Sequence, residues 1–181
     1  WQPVPGGSGE YVAELSSALA ARDDVVVRGI AARHARGAEP DPAPVAPVTF
    51  LPLPRPLLYE SWSRTRRPRV DRGDLDVVHA TTWAVPGHRA PLVVTVHDLA
   101  FERDPAQFTA RGVDFFRRAL RITLDEAAHV VVPSHATANG CRTAGFDEAR
   151  LTVIPHGVRA DDVSADQVAS WRVRRGVPEE Y

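Results

Sequence analysis

Two separated segments of the chain hold residue types suited to binding and acting on a phosphorylated ligand. Gly6-Gly7-Ser8-Gly9 is a glycine-rich turn that leads into a stretch with helical apolar periodicity, and the N-terminus of such a helix presents backbone N–H groups to a phosphate. His97 and Asp98 follow the aliphatic run 92–96. A histidine can donate or accept a proton near neutral pH, and Asp98 would either orient it or cap the next turn. The two segments indicate an enzyme half-site for a nucleotide-linked or phosphorylated substrate.

Polar and aromatic side chains follow two further predicted strands. Thr81, Thr82 and Trp83 come after residues 76–80; hydroxyls and an indole suit a sugar, although a loop aromatic commonly packs against its own domain. Ser134 follows residues 129–133 and is a good helix N-cap that could also touch a ligand. The seven histidines show no metal-ligand spacing, so no metal is expected.

The elements that must position these residues alternate between helix and strand. Periodicity predicts helices over residues 10–21, 57–67, 113–127 and 168–175, and one after Ser134; it predicts strands over 25–30, 49–52, 76–80, 92–97, 129–133 and 151–155, and a proline-rich loop over 33–47. His79 and His129 lie in apolar strands, which favours buried, hydrogen-bonded roles. The alternation is typical of an α/β protein with a doubly wound parallel sheet, whose helix N-termini and strand carboxyl ends share one ligand-binding edge.

Composition narrows the class of protein. The chain has 181 residues, a net charge of −1, no lysine and one cysteine, which indicates one domain without an internal disulfide and disfavours a nucleic-acid binder. No signal peptide is visible, so a cytoplasmic location is expected. The chain begins at Trp1, five residues before the glycine turn. Because a phosphate-binding loop normally follows a strand, the first strand is expected to be missing or displaced.

Five segments, in this order, resemble the N-terminal half of a GT-B glycosyltransferase of the retaining family-4 (group 1) type. They are Pro5-Gly6-Gly7-Ser8-Gly9-Glu10-Tyr11, Asp-Val-Val-His-Ala at 76–80, Val-Thr-Val-His-Asp-Leu at 94–99, the segment 128–134 that ends in Pro133-Ser134, and the segment 151–158. The last motif usually contains Pro-Asn-Gly, whereas this chain has Pro155-His156-Gly157. The resemblance implies a Rossmann-like acceptor-side domain over residues 1–158 and a linker or tail over 159–181, with the donor-binding C-terminal domain absent.

The resemblance also implies an activity. Such enzymes move a hexose, of mannose or glucose type, from a nucleotide-sugar donor to a lipid or saccharide acceptor, usually without a metal or other cofactor. His97 and Asp98 would be catalytic, and Gly6, Gly7, Ser8, Gly9, Thr81, Thr82, Trp83 and Ser134 would contact substrate. Half of such an enzyme is expected to be inactive alone.

Because many relatives act on lipid-linked acceptors, the four arginines Arg64, Arg66, Arg67 and Arg69 could contact anionic lipid headgroups at the inner face of the membrane. A solvated helix face in an arginine-rich protein is the alternative.

Two alternatives come from other functional classes. One is a sugar-nucleotide epimerase of the same two-domain architecture, which would need acidic catalytic residues deep in the cleft. The other is a non-catalytic Rossmann-like module that binds a nucleotide or phosphate. Its NAD-binding version is disfavoured, because Gly7-Ser8-Gly9 is followed by Val12 where the dinucleotide fingerprint has a third glycine. A glutamate-rich donor motif in a downstream half would favour the transferase.

Overall fold

The structure, a computed structural model, describes residues 6–34, 46–158 and 163–178. In chain order the described elements are α1 (Gly7–Ala20), β1 (Gly29–Arg33), β2 (Val48–Pro54), α2 (Arg55–Thr65), β3 (Val78–Ala80), β4 (Leu92–Thr95), α3 (Ala100–Arg103), α4 (Ala110–Glu126), β5 (Ala127–Val132), α5 (His135–Thr143), β6 (Leu151–Val153) and α6 (Ala165–Arg175). Short 3₁₀ turns lie at Pro105–Gln107 and Glu148–Arg150. The predicted alternation of helices and parallel strands is therefore present.

The described strands form two parallel sheets. One has the order β3-β4-β5-β6, with Val78 opposite Leu92, Val94 opposite Val130 and Val132 opposite Val153. The other is the pair β1-β2. Because all strands of the larger sheet are parallel, their carboxyl ends share one edge, which is where the predicted site residues follow β3, β4 and β5.

The larger sheet carries the main core. The side chains of Leu92, Val94, Val96, Val130 and Val132 are fully buried, as expected for strands covered by helices on both faces. α4 packs a buried stripe against them, which begins at Val113 and continues through residues 119–123. A second cluster of Ala32, Leu58 and Trp62 lies between β1, β2 and α2.

Several predicted strand boundaries are wrong, and three of them have a clear physical reason. The strand expected at 25–30 begins at Gly29, because Val26 is 87% exposed and β1 meets its partner only from Gly29 onward. The strand expected at 76–80 begins at Val78, since Val77 stays exposed. The strand expected at 151–155 ends at Val153; the Ile154 amide still donates to the Val132 carbonyl, but Pro155 has no N–H to continue the ladder.

All four helices with predicted bounds begin earlier in the chain than predicted, α1 at Gly7 and α4 at Ala110 among them, and one predicted loop is mostly outside the described residues. α2 begins at Arg55 with a proline in its first turn, and it ends where Arg66 adopts a left-handed backbone with φ of 55°. The helix predicted at 168–175 begins at Ala165, after a capping box made by Ser164 and Gln167. Of the predicted loop 33–47, residues 35–45 lie outside the described part of the chain.

Candidate functional site

The glycine turn opens α1 and leaves its N-terminus accessible. The Gly6 carbonyl accepts from the amides of Gly9 at 2.7 Å and Glu10 at 3.1 Å, so the helix starts at once, without a side-chain cap. A Cβ placed on Gly6 or Gly7 would meet nothing within 4 Å among the described atoms. The first turn of α1 therefore has room for a ligand next to its amide groups, where the helix dipole favours negative charge.

Tyr11, one turn into α1, brings this N-terminus to the end of β4. Its hydroxyl is 3.0 Å from Thr95 Oγ1, and its ring meets the His97 ring edge to face, with centroids 4.9 Å apart and planes at 89°. The Tyr11 ring is equally close to the His156 ring, at 4.9 Å. The two segments singled out from the sequence are thus brought together by a residue that belongs to the glycine motif.

Thr95 is a buried junction between β3 and α1. His79 Nε2 lies 2.8 Å from Thr95 Oγ1, the same oxygen that bonds Tyr11. Burial lowers the pKa of His79, because desolvation disfavours the charged imidazolium. A neutral His79, Thr95 and Tyr11 therefore form a hydrogen-bonded chain from the sheet to the helix. The prediction that His79 is a hydrogen-bonded strand histidine is confirmed, and its side chain is partly buried.

The hydrogen bonds of His97 fix its tautomer. His97 Nε2 is 3.0 Å from the Thr81 carbonyl, and His97 Nδ1 is 3.3 Å from His156 Nε2. A carbonyl only accepts, so His97 Nε2 carries the hydrogen and donates it. In the neutral ring Nδ1 then holds a lone pair, and His156 Nε2–H donates to it. His97 thus presents a basic nitrogen on the side of the imidazole shared with His156.

The pKa of His97 is lowered from its ordinary value. Desolvation of the half-buried ring is the main cause, and the nearby His156 acts in the same direction. The hydrogen bond to Thr81 and the charge of Asp98 oppose them without prevailing. The imidazole is consequently neutral at pH 7, and its Nδ1 can accept a hydrogen bond or a proton from a sugar hydroxyl.

The other predicted residues follow the same strand ends in different roles. Asp98 Oδ1 accepts from the Ala100 amide at 2.8 Å, so it caps the next turn. Thr82 Oγ1 accepts from the Ala84 amide, and Trp83 packs edge-on against buried Phe101 at 5.3 Å.

Ser134 caps α5, as predicted, by accepting from the Thr137 amide at 3.1 Å. The Thr137 hydroxyl in turn donates to the His97 carbonyl at 3.3 Å. The cap of α5 is thereby connected to the backbone of His97.

The four arginines that were predicted to contact lipid differ in whether their side chains already bind other groups of the protein. Arg64 pairs with Glu60 on α2. Arg66 donates to the carbonyls of Trp62, Val85 and Pro86 and to both oxygens of Glu126, so it holds α2 against the loop before β4. Arg67 and Arg69 are exposed, and no ion pair is described for either.

Sequence reasoning missed Thr95 and His156 as members of the site. Side chains alternate along a strand, and the register of β3 with β4 places Val78 opposite Leu92. One face of this strand pair and its extensions therefore holds His79, Thr81, Thr95 and His97. The sequence contained this signal. His156 follows β6 and reaches His97 across 59 residues of sequence, which no local pattern shows.

Two kinds of feature, a membrane-spanning helix and a metal-binding cluster, are absent from the described residues. None of the described helices is long and apolar enough to cross a membrane. Within residues 6–34, 46–158 and 163–178 there is no group of three or more His, Cys, Asp or Glu side chains placed to hold a metal ion.

Residues 5–162 match the family described as Glycosyltransferase Family 4. The match spans most of the 181 residues, and the chain therefore belongs to this family. The resemblance to this family is confirmed, and so is the fold class, an α/β domain with parallel strands of the kind found in half of a GT-B glycosyltransferase. The described strands form two parallel sheets instead of one. No curated protein matches the chain.

Two solved structures are similar to the chain. The structure of Anabaena HepE in complex with UDP and glucose has a TM-score of 0.55 and 18% identity, over 97% of this chain and 50% of that one. HepE in complex with UDP-glucose has a TM-score of 0.47 and 20% identity, over 72% of this chain and 36% of that one. The first likeness is one of fold, and the chain spans about half the length of HepE.

Proposed function

We propose that the chain is the acceptor-side half of a retaining glycosyltransferase, which moves a hexose of mannose or glucose type from a nucleotide-sugar donor to a lipid or saccharide acceptor. Membership of Glycosyltransferase Family 4 supports transfer of a sugar, and HepE was solved with UDP and glucose. The observation that carries the proposal is the meeting of the open α1 N-terminus with His97 through Tyr11.

Each part of this site has a role in the proposal. The amides of Gly7 and Ser8 would donate to anionic or hydroxyl oxygens of the substrates. Gly6 and Gly9 would border the same turn, where the Gly9 amide already donates to the Gly6 carbonyl. His97 Nδ1 would accept a hydrogen bond from a sugar hydroxyl that displaces His156 Nε2, whose present bond is long at 3.3 Å. Asp98, Thr81, Thr82, Trp83 and Ser134 would complete the wall of the acceptor cleft, and no cofactor or metal is required. A second domain would hold the nucleotide-sugar donor, so we expect the 181-residue chain to be inactive alone.

The test is sugar transfer from a panel of radiolabelled UDP- and GDP-sugars by the longest natural protein that contains this chain. That protein would be compared with the 181-residue chain, a His97→Ala variant and a His129→Ala control. His129 is the control because its ring is also hydrogen-bonded to a threonine, to Thr152 Oγ1 at 2.8 Å, but it lies outside the site. Removing one group that contacts the reacting sugar costs about 100-fold in rate.

We expect sugar transfer by the long protein and by its His129→Ala variant. The transfer rate of the His97→Ala variant should be at least about 100-fold lower. The stereochemistry of the product, retained or inverted, would be determined by NMR. Epimerisation of the donor without transfer would favour the isomerase alternative. Donor binding without turnover would favour the binding module. Equal activity of the His97→Ala and His129→Ala variants would remove His97 from the mechanism.

We also propose a cytoplasmic location at the inner face of the membrane. The positions of the arginines narrow this contact to Arg67 and Arg69, because Arg64 and Arg66 are engaged within the protein. Fractionation of cells that express the long protein, with and without the Arg67→Gln/Arg69→Gln pair, tests it. Membrane association that is the same for both proteins would contradict it.

A further inference from the structure

A cavity lined by arginines lies at the opposite edge of the sheet from His97. Its volume is 560 Å³, and it is bordered by Ser61, Arg67, Pro68, Arg69, Asp71, Arg72 and Arg89. Arg89 precedes β4 (Leu92–Thr95), whereas His97 follows it. The strand alone is about 13 Å long, so the cavity is at the amino-end edge and does not join the glycosyltransferase site. We call it the arginine cavity.

The arginine cavity has a large excess of positive charge. Four of its lining residues are arginines, Arg67, Arg69, Arg72 and Arg89. None of the salt bridges found among the described residues involves them, whereas neighbouring Arg64 and Arg66 are both paired. Four like charges around one open volume repel each other. A bound anion would relieve this repulsion and would be held by several donors at once.

The one carboxylate that lines the cavity, Asp71, offsets only part of this positive charge. Asp71 is only 3% exposed, and its Oδ2 accepts from the backbone amides of Arg89 at 2.6 Å and Ala90 at 3.0 Å. Burial alone would raise the pKa of Asp71, but the two amide bonds outweigh it and the pKa is lowered. Asp71 is therefore ionised and fixes the backbone of Arg89. Its other oxygen, Oδ1, is buried without a described partner.

The backbone that carries the arginines is held in place by the fold. The Arg67 carbonyl accepts from the Ser61 hydroxyl at 2.7 Å. The Val70 amide donates to the Gly87 carbonyl at 2.9 Å, next to the bridge between Arg69 and Gly87. Two segments distant in sequence are thereby joined, which fixes the backbone from which these arginine side chains extend. Such prior organisation reduces the entropy lost when an anion binds.

From this geometry we propose that the arginine cavity is a second binding site, for a ligand that carries a phosphate or diphosphate group. Guanidinium forks match phosphate oxygens in pairs, which an ammonium group cannot do. The volume of 560 Å³ lies in the range of small-molecule sites and leaves room for an organic part beside the phosphate. The phosphate belongs either to a free phosphorylated compound or to a lipid headgroup. The site is independent of the proposed sugar transfer, because it lies at the other edge of the sheet.

The experiment has two arms with the 181-residue chain. Inorganic pyrophosphate is titrated by calorimetry at low salt, and vesicles of phosphatidylglycerol are compared with vesicles of phosphatidylcholine by co-sedimentation. The variants are Arg69→Gln/Arg89→Gln and Arg67→Gln/Arg72→Gln. The control, Arg111→Gln/Arg121→Gln, makes the same change in net charge at exposed α4 positions that do not line the cavity. Circular dichroism establishes that each variant is folded.

We expect binding in at least one arm, and we expect its affinity to fall as salt is raised. Both cavity variants should weaken this binding about tenfold or more. The control variant should change it less than about threefold. Loss in the pyrophosphate arm identifies a free phosphorylated ligand; loss in the vesicle arm alone identifies a lipid headgroup. No binding in either arm, or equal weakening in the control, would overturn the proposal. If one cavity variant does not fold, the other decides the outcome. Neither arm involves sugar transfer, so failure here would leave the proposed transferase activity standing. The vesicle arm also bears on the proposed membrane contact, because Arg67 and Arg69 belong to both.

Discussion

Replacing Thr95 by valine tests the hydrogen-bonded chain that joins α1 to the sheet. Valine keeps the shape of the 2%-exposed side chain but removes the oxygen that lies 2.8 Å from His79 Nε2 and 3.0 Å from the Tyr11 hydroxyl. Two intramolecular hydrogen bonds contribute about 1 kcal/mol each, and a buried imidazole nitrogen left without a partner costs about 1–2 kcal/mol more. We therefore expect Thr95→Val to lower the free energy of unfolding by about 3–4 kcal/mol.

The matched control is Thr152→Val, which removes a hydroxyl bonded to another strand histidine, His129, at the same distance of 2.8 Å but at an exposed position. Its expected cost is below about 0.5 kcal/mol, because water replaces the lost partner. Urea denaturation followed by tryptophan fluorescence measures both variants, and an unchanged m-value assigns the shift in midpoint to stability. Tyr11→Phe should cost about 1 kcal/mol. The reasoning is refuted if Thr95→Val costs no more than Thr152→Val.

Three further predictions concern pH, packing and reactivity. Burial lowers the folded-state pKa of His79, so the contribution of His79 to stability is complete above about pH 6.5, its pKa in the unfolded chain, and is lost as the pH falls through the folded-state pKa. The urea midpoint should therefore fall more steeply between pH 7 and pH 5 for the wild type than for His79→Gln. Parallel curves for the two proteins would contradict this. A Cβ on Gly87 would lie 1.8 Å from the Arg66 carbonyl oxygen. Gly87→Ala should therefore lower the free energy of unfolding by about 2–4 kcal/mol, measured by thermal unfolding. A Tm unchanged from wild type would show that the loop moves freely to accommodate the methyl group. Burial raises the pKa of the Cys141 thiol to about 11, so iodoacetamide at pH 8 should label it only in the urea-unfolded chain, as mass spectrometry would show; rapid labelling of the folded chain would mean that α5 opens readily.

The parts of the fold that sequence patterns predicted are those in which burial and periodicity agree. The aliphatic run at 92–96 is fully covered on both faces except at Val93, so hydrophobicity alone located β4. α4 has a regular apolar stripe, and Ser134 has the N-cap chemistry that it shows in the structure. In these cases local preference and tertiary environment favour the same structure.

The parts that were missed depend on distant partners. Val25, Val26 and Val27 have strand-forming side chains, but β propensity expresses packing against a neighbouring strand, and no described strand pairs there. Arg66 has the sequence context of a solvated basic residue, yet it adopts a left-handed backbone and binds Glu126, 60 residues away. The pairing of His97 with His156 likewise depends on two strands that local patterns locate only separately.

The division of the strands into two sheets has a consequence for the behaviour of the chain in solution. Among the described strands, β1 pairs only with β2 and β3 only with β4, while Arg28 and Asp74, 2.7 Å apart, join the residues just before β1 to those before β3. Within the part of the chain that the structure describes, one long side of each of these two strands therefore has backbone donors and acceptors that no strand pairs. Unpaired edges of this kind promote strand exchange and aggregation. We expect the 181-residue chain to self-associate as its concentration rises, and a peptide that supplies a parallel strand to suppress this.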